Sequence, residues 1–323
     1  MTFAILAYGA FFLTTALAFA VVCLGLNLQW GMTGLFNVGV AGFVAVGAYA
    51  SAILTTPASP THLGGFGLPI AAGWLGAILA AGLVAFGVGA VTLRLRADYL
   101  AITTFGAAVI IHLVALNAQP LTGGPFGIGF IPRAFEDLAD RPLVFGTGNL
   151  ALALLAVAAV YLALERLARS PWGRVLRAIR EDETAALSLG KNAVRYRLQA
   201  FAIGGAVMGL GGALQAHFIG FIAPNNYLPS FTFQVWTMLI VGGSGNNRGA
   251  ILGAVLVWGL WSVSGAGISA FVAPELQARA SALQIAAIGI ALCLVLLYRP
   301  RGLLSEAGAA KIPGEGARGN TAQ

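Results

Sequence analysis

Long apolar runs dominate this sequence, and each is about as long as a bilayer's hydrocarbon core is thick. Crossing that core takes about 20 consecutive apolar residues, and in lipid only a helix or a closed barrel satisfies its own backbone. Nine runs reach or approach that length: 3–26, 35–55, 68–93, 99–118, 143–164, 198–223, 230–247, 249–273 and 281–298. The expected fold class is all-α. It is a polytopic integral membrane helical bundle of about nine spans, with eight to ten compatible with the pattern and some broken or re-entrant. The seventh run is the weakest, because the stretch from Phe231 to Val241 is short and Gly242-Gly243-Ser244-Gly245 interrupts it. The second begins among Gly31, Gly34, Gly39 and Gly42, which makes its start doubtful too.

Composition agrees. Of the 323 residues, 59% are hydrophobic and 9% charged, whereas soluble domains carry about 25% charge. A chain so poor in charge cannot cover a soluble surface. The first run has no basic residues before it and exceeds the length of a signal-peptide core, so it is expected to remain as a membrane helix. The net charge of +7 does not mark a nucleic-acid partner, because Lys and Arg lie between apolar runs rather than along one face with stacking aromatics.

Several chemistries find no pattern here. Cys23 and Cys293 fall inside apolar runs and read as small buried hydrophobes. His62, His112 and His217 are too scattered for a metal centre. No phosphate-binding loop ending in Lys-Ser/Thr occurs, and no nucleophile, base and orienter share a plausible spacing. The expectation is a protein that is no enzyme and carries no cofactor and no metal. The runs contain few polar groups, among them Asn37, Thr103, Thr104, His112, Gln199, Gln215, Gln234 and Thr237. Ion-coupled carriers keep a carboxylate or base within the membrane. Only His112 could titrate at mid-depth here, and a helix-to-helix hydrogen bond accounts for it better. Active transport by such a chain would draw its energy from elsewhere, and a cytoplasmic partner that hydrolyses nucleotide is the natural source. The alternative is a stand-alone facilitator or channel for a small neutral solute such as urea.

The positive-inside rule orients the bundle. If all nine runs cross, fifteen of the 18 Lys and Arg residues fall on one side, and only Arg133, Arg141 and Arg279 on the other. That places the N-terminus outside and the C-terminus in the cytoplasm. The expected layout is a transmembrane domain over 1–300 and a disordered cytoplasmic tail over 301–323. Residues 119–142, rich in turn formers, make an extracytoplasmic cap. Residues 165–197 make a basic, amphipathic cytoplasmic segment. Arg94-Leu95-Arg96 and Arg195-Tyr196-Arg197 read as snorkelling anchors at the cytoplasmic mouths of two spans.

Within the cytoplasmic segment, Glu181, Asp182 and Glu183 suit a helix N-terminus, Ala185, Ala186, Leu187 and Leu189 supply an apolar surface, and Gly190 suits a stop. That predicts one short helix. Its apolar face is too small to stand alone and must dock on a partner or lie on lipid headgroups; spacing alone favours neither.

Motifs break that tie. The run from Leu93 to Thr104 (Leu-Arg-Leu-Arg-Ala-Asp-Tyr-Leu-Ala-Ile-Thr-Thr) resembles the LivM family of branched-chain amino acid ABC transporter permeases. So do Leu121 to Ile128 (Leu-Thr-Gly-Gly-Pro-Phe-Gly-Ile), Arg169-Ser170-Pro171-Trp172-Gly173 continuing to Glu183, Ala216-His217 with Gly220 to Pro224, and Gly242-Gly243-Ser244-Gly245 with Gly249 and Gly253. One departure is Val40, where family members often carry His. The resemblance implies an importer permease of a bacterial cytoplasmic membrane. Its partners would be two cytoplasmic ABC ATPase subunits, a second related permease of the LivH type and an extracytoplasmic substrate-binding protein, all around the lipid bilayer. It also implies that Arg180, Glu181, Asp182, Glu183, Ala185, Ala186 and Gly190 form the loop that docks on the ATPase. Asn37, Thr103 and Gln234 are expected along the translocation path. Gly205 with Gly209, and Gly249 with Gly253, have the spacing of close helix contacts, either with a partner or within the chain.

Overall fold

The structure is a computed structural model and describes residues 2–59, 62–95, 97–273, 276–298 and 302–304. Of the predicted disordered tail over 301–323 only 302–304 are described; the rest of it, and Arg96 of the first basic anchor, lie outside the described residues. The chain runs through α1 (Thr2–Gln29), α2 (Val40–Thr55), α3 (Ile70–Thr92), α4 (Ala97–Asn117), α5 (Gln119–Thr122), α6 (Pro142–Arg169), α7 (Pro171–Glu181), α8 (Glu183–Ser188), α9 (Ala193–Ile219), α10 (Pro229–Gly242), α11 (Asn247–Phe271) and α12 (Gln277–Tyr298). Single 3-10 turns occupy Gly124–Phe126, Glu136–Leu138 and Pro224–Tyr227. Among the described residues the regular structure is helical, with one isolated bridge between Ile128 and Ile222.

Among the described residues six helices are long and apolar enough to cross a membrane by length and composition: α1 from Tyr8, α3, α4 from Asp98, α6, α9, and α11 as far as Ile268. α12 adds 22 residues. The second and seventh runs are shorter. α2 has 16 residues and α10 has 14, or about 24 and 21 Å of helix, against a hydrocarbon core of about 30 Å. Before α2 the chain turns at Gly34 and stays non-helical to Gly39, whose N–H donates to the Asn37 side chain at 2.7 Å. Such a local bond competes with helix formation. α10 ends at Gly243, where φ is 111°, a conformation that favours glycine.

Contacts sort the ends of the long helices onto two faces. Loop 56–69 meets the segment after α4 through Leu63 N–H on Pro120 O, and the C-terminus of α9 meets the cap through Ile128 and Ile222. The start of α1 lies on that face too, with Phe11 packed on Phe218. At the opposite face the end of α1 meets the start of α11 through Asn27 and Asn247, and α7 and α8 lie there with most of the Arg residues. Leu303 and Leu304 donate there to Val241 O and Gly242 O. These are called here the cap face and the basic face.

α9 is the hub, packing along α1, α2 and α3. Its small residues make this possible. A Cβ on Gly47 of α2 would lie 2.2 Å from Gly209 O, and one on Gly205 would lie 2.3 Å from the Ala85 Cβ of α3. Gly253 likewise backs onto α10, where a Cβ would meet Met238 O at 2.0 Å. Both predicted small-residue pairs therefore pack within this chain. Backbones that touch so closely gain dispersion contacts that lipid cannot replace.

Candidate coupling and translocation site

On the basic face the predicted single short helix is two helices. Asp182 separates them: its backbone is extended (φ −149°, ψ 101°), and its Oδ1 accepts from Ala185 N–H at 3.0 Å. A side chain that caps a following helix breaks the preceding one. Glu181 thus ends α7 instead of starting the docking helix, and Glu183 begins α8. Ser170 caps α7, accepting from Gly173 N–H, with Pro171 in its first turn. At the far end Gly190 adopts φ 74°. Its N–H donates to Leu187 O at 2.9 Å and that of Lys191 to Ala186 O at 3.1 Å, a double bond pattern that ends a helix on glycine.

α7 buries Leu176 and Ile179, and Ile179 joins Ala186 and Ala193 in a small cluster that seats α7 and α8 on the start of α9. Trp172 donates to Gln199 at 2.9 Å, and Glu183 pairs with Arg197 of α9 at 2.8 Å. Arg177 donates to Ala168 O and Arg174 to Arg169 O, so cations meet the negative end of α6. The predicted coupling residues therefore divide. Glu181, Asp182, Ala185 and Gly190 are exposed, and Leu187 and Leu189 project beside them at 52% and 79% exposure. Ala186 is buried and Glu183 is tied to α9. Arg180 turns inward and donates to the carbonyl of Gly31.

Gly31 opens the non-helical stretch between α1 and α2, and that stretch is held by side chains with no exposure. Asn37 Nδ2 donates to Gln29 Oε1 at 2.7 Å, and Gln29 Nε2 donates to Phe201 O of α9 at 2.8 Å. Trp236 of α10 donates to Asn37 O at 2.9 Å. Val38 N–H finds Thr104 of α4 at 3.1 Å, and Ala41 N–H finds Thr232 of α10 at 3.0 Å. This irregular stretch and the residues that flank it, Gln29 and Ala41, thus bind α4, α9 and α10. Beside it Asn27 accepts from Gly245 N–H at 2.8 Å and donates to Asn247 at 2.9 Å, and Asn247 donates to Glu165 at 3.1 Å. Trp30, Phe36 and Trp236 pack their rings together at 4.8–5.4 Å between centroids.

Of the expected path residues, Asn37 is fully buried inside this network. Thr103 is half-buried and its hydroxyl bonds back to Tyr99 O and Leu100 O. Gln234 is half-buried on the outer side of α10, one turn from Ser230 and near Thr237. The structure does not bring the three together. His112 is half-buried on α4, and its Nδ1 has no hydrogen-bond partner among the described residues. Sequence reasoning passed over Gln29 and Asn27, because hydropathy ends the first run at Leu26 while the helix continues to Gln29. Polar residues within a span face the protein interior, and their spacing of two at the end of a charge-free helix is the signal that would have found them. On the cap face, Ser51 and the Pro132 carbonyl flank the buried His217 ring at 2.8 and 2.7 Å.

Comparison with known proteins gives a consistent picture. The family described as the branched-chain amino acid transport system permease component matches residues 8–296. The chain is 32% identical to the high-affinity branched-chain amino acid transport system permease protein LivM of Escherichia coli K12, covering 90% of this chain and 68% of that one. It is 30% identical to a probable LivM of Methanocaldococcus jannaschii, covering 88% and 90%, and 25% identical to the E. coli permease LivH, covering 91% and 93%. No solved structure matches the chain.

Proposed function

The chain belongs to the family of branched-chain amino acid transport permease components, and from that premise we propose that it is the membrane subunit through which an ABC importer passes branched-chain amino acids. The basic face is cytoplasmic, so the N-terminus lies outside and the C-terminus inside; the excess of Lys and Arg there supports this. The protein works beside a second permease of the LivH type, on two cytoplasmic ATPase subunits. An extracytoplasmic binding protein delivers cargo to the cap face. The permease itself performs no chemistry. The reading of a stand-alone facilitator for a solute such as urea has no support among the relatives.

One observation carries the reading: the exposed α7–α8 segment is clamped by Arg180 to Gly31, where the stretch binding α4, α9 and α10 begins. The 181–190 segment presents Leu187, Leu189, Glu181 and Asp182 to a partner's groove. When nucleotide closes the ATPase pair, α7 and α8 move as one body. Arg180 passes that movement to the 31–39 stretch, and with it to the packing between α4 and α10. Two packed arrangements of these helices, one open to each face, are the bistable element such a lever biases.

The test is reconstitution. The assembly purified through this chain should import leucine into proteoliposomes only with ATP and the binding protein present. Import by this chain alone, driven by a proton or sodium gradient, would end the proposal.

A further inference from the structure

Two interrupted helices converge on one cavity. Non-helical backbone at membrane depth leaves N–H and C=O groups without helical partners, and it persists only where protein buries it or where it lines a cavity. The irregular stretches before α2 and before α10 meet at the same place. Val38 lies in the stretch before α2, Tyr227 in the 3-10 turn before α10, and both line a cavity of about 80 Å³ against α4. Phe105, Val109 and His112 form the α4 wall and Thr232 the α10 wall. The volume is well above the roughly 10–15 Å³ that a single water needs. Phe105 and His112 lie about 10 and 21 Å along the helix axis from Asp98, so the cavity is inside the membrane, away from both faces.

Its chemistry is mixed in a particular way. The walls are aliphatic and aromatic, while polar atoms stand at the edges. Thr232 Oγ1 already accepts from Ala41 N–H. The Nδ1 of His112 has no partner among the described residues. A buried polar atom left unpaired in a well-packed structure marks a place where something else supplies the partner. Lipid chains cannot do so.

We propose that this cavity is a transit site in the translocation path, where the branched aliphatic side chain of the cargo rests between α4 and α10 while a polar group of the cargo reaches His112. The proposal rests on the importer reading above and deepens it. The cavity sits at two contacts: Val38 with Thr104, by which the 31–39 stretch holds α4, and Ala41 with Thr232, by which the start of α2, directly after that stretch, holds α10. The same displacement that α7 transmits therefore opens or closes it. His112 here is a cargo-contacting residue, not a proton carrier.

The test uses the full assembly in proteoliposomes, with Cys23→Ala and Cys293→Ala as background. A cysteine reacts with a cationic methanethiosulfonate only as thiolate, which needs water. Val109→Cys should react at least tenfold faster than Leu113→Cys, whose native side chain points out of the bundle at 48% exposure. Leucine delivered by the binding protein should slow that reaction at least threefold. Val109→Trp, which fills the cavity, should cut leucine import tenfold or more, while ATP hydrolysis stimulated by the binding protein stays within twofold. Retained hydrolysis shows that the assembly has folded. A cavity that merely holds a lipid chain predicts an inert Val109→Cys, and that result overturns the proposal. So does reaction indifferent to leucine, or normal import by Val109→Trp. Absence of any import by the unmodified assembly would overturn the importer reading and this inference with it.

Discussion

The guanidinium of Arg180, near the end of α7, donates to the main-chain carbonyl of Gly31, 149 positions earlier in the chain. In the coupling mechanism proposed above, this contact makes an amphipathic surface helix part of a lever, because Gly31 begins the stretch that, together with Gln29, is bonded to α4, α9 and α10. A hydrogen bond to a charged group contributes about 1.5–3 kcal/mol, and methionine at this position keeps the bulk without the donor. Arg180→Met should leave ATP hydrolysis by the assembly within twofold and lower import at least fivefold. Parallel loss of both activities would show that Arg180 serves folding alone.

Glu183 and Gly190 bracket α8, and each offers a different way to disable it. Glu183→Lys places a cation against Arg197, its present partner at 2.8 Å, so α8 should lift from the start of α9. Gly190→Trp forces a large residue into φ 74°, a conformation that costs side-chain-bearing residues roughly 1–2 kcal/mol, with open space around it. Both variants should insert in the membrane at normal levels and bind the ATPase more weakly, uncoupling hydrolysis from import. Co-purification of the ATPase and import assays measure the two effects, and unchanged import in both variants would remove α8 from the coupling path.

Hydropathy and residue spacing make the helical bundle, its longest spans and its weak second and seventh runs legible before any coordinates. They do so because lipid imposes one requirement on every residue of a span. The irregular stretch is less legible. Asn37 stands out as a lone polar residue, yet nothing local says that it bonds Gln29, eight positions back and beyond the limit of the first apolar run. Arg180 reads as one basic residue among many around α7. Its inward turn depends on where α1 ends, a tertiary fact with no periodic signature. The break at Asp182 was within reach, since Asp three residues before Ala185 is a capping pattern, but three consecutive acids read equally well as one N-terminal turn.

The Asn37–Gln29 pair makes a separable prediction about stability. Both side chains have no exposure, and each leaves the other with an unmet group when removed. Leaving a buried polar group unpaired costs about 1–3 kcal/mol. Asn37→Ala and Gln29→Ala should each lower the unfolding midpoint of the purified chain in detergent by several degrees. The double variant should lose less than the sum, with a coupling of about 1 kcal/mol or more as expected for residues in one network. Strict additivity would show that the 31–39 stretch is held by Trp236 and Thr104 without this pair.

The hub helix supplies the sharpest contrast among glycines. Gly209 stands against Ala81 and Gly47, where a Cβ would meet the Ala81 Cβ at 2.3 Å, whereas a Cβ on Gly87 of α3 meets nothing within 4 Å. The same substitution should therefore act in opposite directions at the two sites. Gly87→Ala adds a residue that favours helix by about 1 kcal/mol on an exposed position, and should leave or raise thermal stability. Gly209→Ala must push α9 away from α2 and α3. Overpacking of this kind costs about 1–3 kcal/mol, and Gly209→Leu should prevent accumulation of folded chain in the membrane. Since α9 also carries the Phe201 carbonyl that receives Gln29, a tolerated Gly209→Ala variant should import more slowly. Membrane abundance, thermal unfolding in detergent and import rate decide the matter, and a stable, fully active Gly209→Leu would show that α9 does not pack as the hub described here.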